Sequence, residues 1–419
     1  MRKMKKKIIF NPDKIYVPEP IDSVRNGNQE DVTILQDSSI IINGKSIDSI
    51  VSTASISGRY EVDEIVDATG MIITPGFIDS HTHLAYCGER SEEFVLRARG
   101  AKYIDLLKSG NGILKTVRDT RACSTDQIVS QSARRLLNHI RNGVTTVEVK
   151  TGYGLDLKNE EKLLDVMDIM KSHLPVNIVK TLLPLHAMPP GKTKEEYVKE
   201  STEVILPELY KRADFVDSFC DEGAFTKEET FNFFKKASEL GMALRIHADE
   251  IKDVGALELA DKFLLKSVDH LLHTSTENME RIKGKDIVAT ILPGTAFSLG
   301  EKYVDSREWI NRHIPVAVAS DISPLNPVTD IKFHGNLAIR NCSMSPEALL
   351  NGLTTIPAHS LGLDGVKGNL NHGADADLLI ISAGEMRDMF YDWTNTQVTV
   401  IQEGKVLDMK KIMRKSIKP

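Results

Sequence analysis

The sequence predicts an α/β protein in which a closed (β/α)₈ barrel of the TIM type is inserted into a small, discontinuous β domain. Between residues 71 and 368, short apolar runs alternate with amphipathic segments of helix length. Repeated β-then-α units with apolar strands indicate a parallel sheet, and about eight such units favour a closed barrel. Short strands and turns without a helical period occupy both ends of the chain.

The two ends of the chain, residues 1–70 and 369–419, are expected to form the small domain. Asn43-Gly44 is a hairpin signal within it. Its strands are predicted at 8–10, 32–35, 39–42, 49–52, 376–381 and 398–401. The C-terminal strands are expected to pair with the N-terminal ones, so that residues 71–368 form a barrel between them.

The barrel strands are predicted from apolar, β-branched runs. The run at 71–73 leads into the first, and the other seven are predicted at 145–149, 176–185, 215–219, 243–246, 267–272, 287–292 and 315–319. Ser124 and Gln127 form a capping-box pattern before a helical repeat that ends at Gly143. An open, doubly wound sheet is the alternative, but the sequence has no Gly-rich nucleotide loop.

The composition is that of an ordinary globular enzyme. Of the 419 residues, 41% are hydrophobic and 27% are charged, and the net charge of −6 argues against a broad attraction to nucleic acid. The apolar run near the N-terminus is too short for a signal peptide or a membrane span. Cys87, Cys123, Cys220 and Cys342 lack C-x-x-C spacing, so no disulfide framework is expected, and a reducing cytoplasm is the predicted location.

Polar residues at the ends of the predicted strands are the candidates for chemistry, because such barrels place their active sites there. His81 and His83 follow the first strand, and side chains two apart in an extended segment point to the same side. His186, His247 and His270 end later strands, so five of the 12 histidines lie at strand ends. Neutral imidazole is a common ligand of zinc and iron, and a metal site is therefore predicted.

The segment TPGFIDSHTH at 74–83 resembles the amidohydrolase superfamily, whose first barrel strand ends in this pattern. The resemblance implies four metal ligands, and their positions match His81, His83, His247 and Asp321. Three imidazoles and one carboxylate suit a single divalent metal, either zinc or ferrous iron.

The number of metals depends on the fourth barrel strand. Superfamily members with two metals usually have a carboxylated lysine at the end of that strand. Here the strand ends with Cys220 and Glu222, and Lys150 lies on the second strand instead. One metal is predicted, while a bridging Cys220 or Glu222 would be a route to a second.

Three residues are predicted to be catalytic: Glu250, His270 and Asp321. A bound metal lowers the pKa of its water towards roughly 7, and either His270 or Asp321 could take the proton. Glu250 lies three residues after His247 and could hold the substrate or the water. An acid/base pair beside a metal is a hydrolase arrangement. A surface carboxylate at a helix start is the alternative for Glu250.

Longer blocks resemble one family of this superfamily, the imidazolonepropionases. They are HTHL at 81–84, GER at 88–90, EVKTGYGL at 148–155, LHA at 185–187, FCDEGAF at 219–225, IHADE at 246–250, DHLL at 269–272 and LPGT at 292–295. The resemblance implies ring-opening hydrolysis of 4-imidazolone-5-propionate to N-formimidoyl-L-glutamate in histidine degradation. It also implies a homodimer.

The same resemblance implies the contacts with this small anionic substrate. It matches Arg90, Tyr103, Tyr153 and His186 to substrate-binding positions, together with Glu250. Arg90 can hold a carboxylate with two parallel hydrogen bonds. A surface salt bridge is the alternative for Arg90, and helix packing is the alternative for Tyr103.

The chain departs from the family after Asp321. The family usually has Asn two residues later, whereas this chain has Ser323 and only afterwards Asn326. We expect Asn326, or a water held by Ser323, to replace the missing amide as a substrate contact. Tolerance of change at an unimportant position is the alternative. The segment GNG at 110–112 and His334 also depart from the family pattern.

Two rival functions stay open at this point. Another amidohydrolase, such as an aromatic deaminase or a cyclic-imidate hydrolase, would share the metal ligands and Glu250 but not the block at 150–154. A non-catalytic scaffold on this fold would generally lose metal ligands, and all four are present here.

Overall fold

The computed structural model describes residues 6–56, 60–100 and 112–416. The strands are β1 (Lys6–Phe10), β2 (Lys14–Pro18), β3 (Val32–Leu35), β4 (Ser38–Asn43), β5 (Ser46–Ser52), β6 (Val62–Asp67), β7 (Ile72–Pro75), β8 (Phe77–Asp79), β9 (Val144–Lys150), β10 (Asn177–Leu185), β11 (Phe215–Cys220), β12 (Ala243–Ala248), β13 (Leu265–His270), β14 (Val288–Ile291), β15 (Val316–Val318), β16 (Leu378–Ile381), β17 (Val398–Gln402) and β18 (Lys405–Val406).

The helices are α1 (Ile21–Asn26), α2 (Ser91–Ala98), α3 (Ile113–Ala122), α4 (Thr125–Arg141), α5 (Leu157–His173), α6 (Lys194–Glu200), α7 (Leu206–Leu209), α8 (Lys227–Glu239), α9 (Thr276–Ile282), α10 (Pro293–Leu299), α11 (Ser306–Ile310), α12 (Ile331–Asn341), α13 (Pro346–Leu353), α14 (Thr355–Ser360), α15 (Met386–Tyr391) and α16 (Met409–Ser416). In the described parts of the chain, none of them is long and apolar enough to cross a lipid bilayer.

Strands β8 to β15 form one eight-stranded parallel sheet in chain order. Its first and last strands meet just beyond their ends, where Asp321 N donates to His81 O at 3.0 Å and His83 N donates to Ile322 O at 2.9 Å. These bonds close the sheet and bring residues from both ends of the barrel sequence side by side. The predicted (β/α)₈ barrel is therefore confirmed, and its closing bonds lie among the metal-ligand candidates.

The apolar run at 71–73 belongs to a different sheet from the one that the sequence suggests. Strand β7 pairs with β16 and β2, and the first barrel strand is β8, which begins two residues later. The prediction that the run leads straight into the barrel as its first strand is wrong. The sequence is largely apolar from β7 into β8, so it does not show where one sheet ends and the other begins. Between the two strands, Gly76, which has no side chain, lies directly against Thr145.

Strands from both ends of the chain share the six-stranded sheet β18-β17-β16-β7-β2-β3, and β5-β4-β1-β6 form a second sheet. Side chains of both sheets, among them Ile9, Ile40, Ile73, Ile380 and Ile401, form one buried apolar cluster. The two sheets therefore pack on each other apart from the barrel. The C-terminal strand β16 pairs directly with β7 (Ile72–Pro75), which lies inside the range 71–368 that the sequence assigns to the barrel, and β7 in turn pairs with β2.

The two predictions that depend only on neighbouring residues, a helix cap and a hairpin turn, are confirmed. Ser124 caps α4, and the Ser124 and Gln127 side chains make the reciprocal bonds of a capping box. Asn43-Gly44 lies in the turn between the antiparallel strands β4 and β5, where Gly44 has a φ of 65°.

One disulfide joins Cys87, in the loop after the first barrel strand, to Cys123, just after α3. Their Cα atoms are 6.5 Å apart, although 36 residues separate them in sequence. The expectation that these two cysteines stay unpaired is wrong, because only the packing of α3 against the loop brings them together. Cys220 and Cys342 are free and buried.

Candidate metal centre and active site

Three imidazoles meet at the C-terminal end of the barrel. One ring nitrogen from each of His81, His83 and His247 lies within 4.8 Å of those of the other two. Nε2 of His83 is 3.2 Å from Nε2 of His247. Burial lowers the pKa of both His81 and His83 well below the usual value, so that their rings are neutral, as metal ligands must be.

Asp321 supplies the carboxylate that the sequence predicts. Its Oδ1 lies 3.6 Å from Nε2 of His83 and 3.9 Å from Nε2 of His81. The hydroxyl of Thr295 donates to the other oxygen, Oδ2, at 2.5 Å. The backbone of Asp321 has a φ of 51°, a left-handed conformation that is uncommon outside glycine and recurs at functional sites. Burial raises the pKa of Asp321 to about 6.

The donor set fits one divalent metal. His81 Nε2 and Asp321 Oδ1 are buried and have no hydrogen-bond partner among the described residues, although both point into the cluster. Nδ1 of His81 lies 2.7 Å from Oδ2 of Asp269, which can only accept, so Nδ1 carries the proton and Nε2 is left for a metal. Buried polar atoms without partners are costly unless a cation satisfies them.

Glu250 and His270 lie beside this cluster. Nδ1 of His270 is 3.8 Å from Oε2 of Glu250, and the His270 ring centroid is 5.1 Å from that of His247. Burial raises the pKa of Glu250 well above its usual value and lowers that of His270 well below its own. His270 also has a left-handed backbone, with a φ of 81°. The two predicted acid/base residues are thus brought together at the metal centre.

The loop that carries Glu250 is fixed by Asp221. The carboxylate of Asp221 accepts backbone N–H bonds from Glu250 at 2.7 Å, Ile251 at 3.0 Å and Lys252 at 3.0 Å. Asp221 thereby holds the backbone that carries Glu250, while Phe219 of the same FCDEGAF block lies with its ring centroid 5.7 Å from that of His247. No role was predicted for Asp221, whose only signal was its position beyond a strand end.

His186 and Tyr153 form one wall of the site. The His186 ring stacks on His83 at 4.6 Å between centroids, and the Tyr153 ring lies 5.3 Å from it. His186 Nδ1 donates to Gly152 O at 3.0 Å, which leaves Nε2 as an acceptor. A Cβ at Gly152 would meet His186 Nδ1 at 2.7 Å, and its φ is 102°, so only glycine fits there.

The turn that carries Tyr153 depends on a buried glutamate that the sequence did not single out. Both carboxylate oxygens of Glu160, on α5, accept backbone N–H bonds from the turn. The donors are Gly152 at 3.1 Å, Gly154 at 2.8 Å and Leu155 at 2.8 Å. The KTGYG block is thereby held in one shape.

Arg90 is buried, as a ligand-binding residue can be, but it has a partner within the protein. Its guanidinium makes two bonds to Glu93, at 2.7 and 2.5 Å. Its contact with a substrate stays a prediction. Tyr103 lies outside the described residues, as do positions 110 and 111 of the glycine-containing segment.

The residues that depart from the family pattern contact one another. Asn326 is completely buried, and its Nδ2 donates to Ser320 O at 2.7 Å. Ser323 Oγ accepts from Asn326 N at 3.3 Å. An ideal Cβ on Gly294 would lie 2.6 Å from Asn326 Nδ2 and 2.4 Å from the His334 ring. These contacts assign Asn326 to holding the turn after Asp321, and its substrate contact stays a prediction.

The two residues considered as bridges to a second metal have other environments. Glu222 pairs with Lys252 at 3.0 Å and is largely exposed. Burial raises the pKa of the Cys220 thiol to about 12, so the thiolate that binds metals is disfavoured. Neither side chain is thus placed as a ready ligand for a second ion, which supports one metal.

Asp217 and Asp269 are the residues that sequence reasoning missed. Asp217 Oδ2 is 3.0 Å from Nδ1 of His247, and Asp269 makes the matching contact with His81. Asp217 lies on barrel strand β11 and Asp269 on β13, and both are fully buried. The available signal was a carboxylate within a predicted barrel strand.

Comparison with known proteins identifies the family. The sequence model described as "Amidohydrolase family" matches residues 72–407. Imidazolonepropionase of Thermoplasma volcanium is 40% identical over 402 residues, covering 95% of this chain and 97% of that protein. Imidazolonepropionase of Clostridium tetani is 35% identical over 412 residues, covering 96% and 98%.

Solved structures share the fold. A triazine hydrolase variant superposes with a TM-score of 0.72 at 17% identity and covers 98% of both chains. An adenosine deaminase from Xanthomonas campestris with bound zinc gives 0.70 at 13% identity, over 98% of this chain and 97% of that one. Since the family model spans most of the chain and the relatives cover nearly all of it, this chain belongs to the amidohydrolase family, among the imidazolonepropionases.

Proposed function

We propose that this hydrolase opens the ring of 4-imidazolone-5-propionate to give N-formimidoyl-L-glutamate, a step of histidine degradation. One divalent metal would be held by His81, His83, His247 and Asp321. The observation that carries the proposal is the convergence of these four ligands with a buried acid/base pair, in a chain related over its length to imidazolonepropionases.

Hydrolysis adds a water oxygen to the ring carbonyl carbon, breaks the carbon–nitrogen bond and leaves a proton on the departing nitrogen. A divalent metal at the site would supply a Lewis acid and lower the pKa of a coordinated water to roughly 7. His270 is buried and neutral, and its two ring nitrogens have no hydrogen-bond partner among the described residues, so it can relay a proton. Glu250 can carry a proton, because burial raises its pKa, and can donate it to the ring nitrogen.

The substrate is a small anion, and its recognition is assigned to five further residues. Arg90 would hold its carboxylate, and His186 Nε2 would accept a hydrogen bond from a ring N–H. Tyr153 lies against both His83 and His186 and would pack on the ring. Tyr103 and Ser323 are assigned as further contacts on the basis of their sequence positions.

We infer that the metal is zinc or ferrous iron, since three imidazoles and one carboxylate suit both. We also infer a homodimer in the cytoplasm without membrane partners, as the resemblance to the family implies, and the net charge of −6 argues against nucleic-acid partners. Light scattering on the purified chain would measure the oligomeric state. Elemental analysis of protein made in unsupplemented medium would identify the metal.

The decisive experiment combines metal analysis with an assay on imidazolone propionate. We expect one metal per chain and formimidoyl-glutamate as product. Release of ammonia would point to a deaminase instead, and two metals per chain would contradict the single site. His247→Ala should lose metal and activity together, whereas His173→Ala, at an exposed histidine on α5, should lose neither.

A further inference from the structure

Five charged side chains lie directly beneath the metal centre, and none of them is exposed at all. They are Glu148, Lys150, Asp217, Arg245 and Asp269, from strands β9, β11, β12 and β13. Burying ions in a barrel core is expensive unless each is paired. The arrangement therefore calls for a function beyond packing.

Lys150 is the centre of this group. Its Nζ lies 2.8 Å from Oε1 of Glu148, 2.8 Å from Oδ2 of Asp217 and 3.9 Å from Oδ2 of Asp269. Burial alone would lower the pKa of Lys150, but Asp217 and Glu148 raise it above its usual value, so the side chain is charged. A single ammonium thus contacts carboxylates from three different strands.

The same carboxylate oxygens touch two metal ligands. Oδ2 of Asp217, which contacts Lys150, is 3.0 Å from Nδ1 of His247. Oδ2 of Asp269 is 2.7 Å from Nδ1 of His81. Asp217 therefore links Lys150 to His247, and Asp269 links Lys150 to His81. Carboxylates in this position fix the tautomer and the orientation of a ligating histidine.

Glu148 connects Lys150 to the segment between the ligands His81 and His83. Its Oε2 accepts from Thr82 N at 3.3 Å, and its backbone oxygen accepts from the Thr82 hydroxyl at 2.7 Å. Thr82 lies between His81 and His83. Arg245 pairs with Asp269 at 3.4 Å and with Glu148 at 3.9 Å, and it also donates to Ser80 O at 2.9 Å. Among the described residues, Asp217 pairs with no lysine or arginine other than Lys150.

We propose that Lys150 is a positioning residue of the metal centre, holding Asp217 and Asp269 so that His247 and His81 present Nε2 to the ion. Three carboxylates face two cations in this group. Without Lys150 these carboxylates would repel one another, because like charges destabilise a buried site. Asp217 and Asp269 would then turn away from the imidazoles. This gives the KTGYG block a function beyond carrying Tyr153.

The test is the zinc affinity of Lys150→Met, measured by competition of the folded apoprotein with a coloured chelator. Loss of a partner of the ligands typically lowers metal affinity 10- to 100-fold, and we expect at least tenfold here. The matched control is Lys367→Met, because Lys367 is also buried between two carboxylates, Asp375 at 2.8 Å and Asp377 at 2.6 Å, far from the ligands. It should lose stability without losing zinc affinity.

A spectroscopic readout separates positioning from stability. Cobalt replaces zinc at such sites, and its visible absorption reports the geometry of the ligands. In Lys150→Met the spectrum should change, and in Lys367→Met it should match the wild type. Asp217→Asn, which keeps the volume of the side chain, should reproduce the affinity loss even if Lys150→Met fails to fold.

The inference rests on the metal site of the proposed function, and the two can fail separately. Wild-type affinity and an unchanged cobalt spectrum in Lys150→Met would overturn the inference alone. If that variant does not fold, wild-type affinity in Asp217→Asn would do the same. A wild-type chain that binds no zinc or cobalt would overturn the metal site and the inference together.

Discussion

The guanidinium of Arg90 forms a two-point ion pair with Glu93, with Nε 2.7 Å from Oε2 and Nη2 2.5 Å from Oε1. Both side chains are no more than 5% exposed. Glu93 uses two of the five N–H donors of the arginine. Arg90 is thus held at the start of α2 by Glu93, and the proposed contact with a substrate carboxylate would be made from this position.

Changes at Arg90 should therefore act mainly on the Michaelis constant. Charge-assisted hydrogen bonds contribute about 1.5–3 kcal/mol, which is roughly 10- to 100-fold in binding. We expect KM to rise by this factor in Arg90→Ala, less in Arg90→Lys, and several-fold in Glu93→Gln, where the arginine loses its support. Arg99→Ala, at an exposed arginine after α2, is the control. An unchanged KM in both Arg90 variants would restrict Arg90 to its pair with Glu93.

Glu250→Gln and His270→Asn should keep the metal and lose turnover. Neither residue belongs to the ligand set, and positioned acid/base groups contribute roughly 10²–10⁴-fold to rates. Metal content and kcat should be measured on the same preparations. Glu222→Gln, at the exposed carboxylate paired with Lys252, should leave both unchanged. Near-normal turnover in either variant would remove that residue from the mechanism.

Asn326→Ala should reduce stability more than it raises KM. The change leaves the buried Ser320 carbonyl without its donor, and an unsatisfied buried group costs about 1–3 kcal/mol. Denaturant unfolding would measure this loss, and Ser323→Asn should cause a smaller one. The opposite pattern, a higher KM at full stability, would support the direct substrate contact predicted for Asn326.

Reduction of the disulfide between Cys87 and Cys123 should destabilise the protein. Closing a loop of 36 residues contributes about 3–4 kcal/mol in the chain-entropy model. Cys123→Ser should show the loss without a reductant, and Cys342→Ser, at a free buried cysteine, serves as the control. Thiol counting in denaturant should give two free thiols in the oxidised protein. Four thiols in protein purified without reductant would contradict the pairing.

A histidine outside the active site should make stability depend on pH. His359 lies 2.7 Å from Asp364 and 2.7 Å from Asp286, and these carboxylates raise its pKa, the Asp364 bond most, against an opposing effect of burial. Because the folded pKa is higher than the unfolded one, near 6.5, this stabilisation is complete below that value. It is lost as the pH rises through the raised folded pKa.

The measurement is the difference in unfolding free energy between wild type and His359→Gln across pH 5.5 to 9. We expect the wild type to lose its advantage towards the alkaline end, by no more than about 1 kcal/mol because the group is partly solvated. A difference that stays constant with pH would show that His359 does not titrate in this window.

The sequence by itself determined the barrel and its candidate metal ligands. Strand ends are local features, and alternation places His81 and His83 on one side of an extended segment. His247 and Asp321 also follow predicted strand ends, which meet at one face of a barrel, and the resemblance to the amidohydrolase superfamily added them as ligands. Their positions beside these ligands then pointed to Glu250 and His270, which the structure brings within 3.8 Å of each other.

Only the tertiary structure decided which partners these residues have. The carboxylates behind His81 and His247, the lysine between those carboxylates, the Glu93 partner of Arg90 and the cysteine pair all depend on side-chain directions and loop paths. The tertiary structure also places β7 outside the barrel, because a run of buried apolar residues fits either sheet. Burial and pairing are set by packing between distant segments, and no local pattern encodes which segments meet.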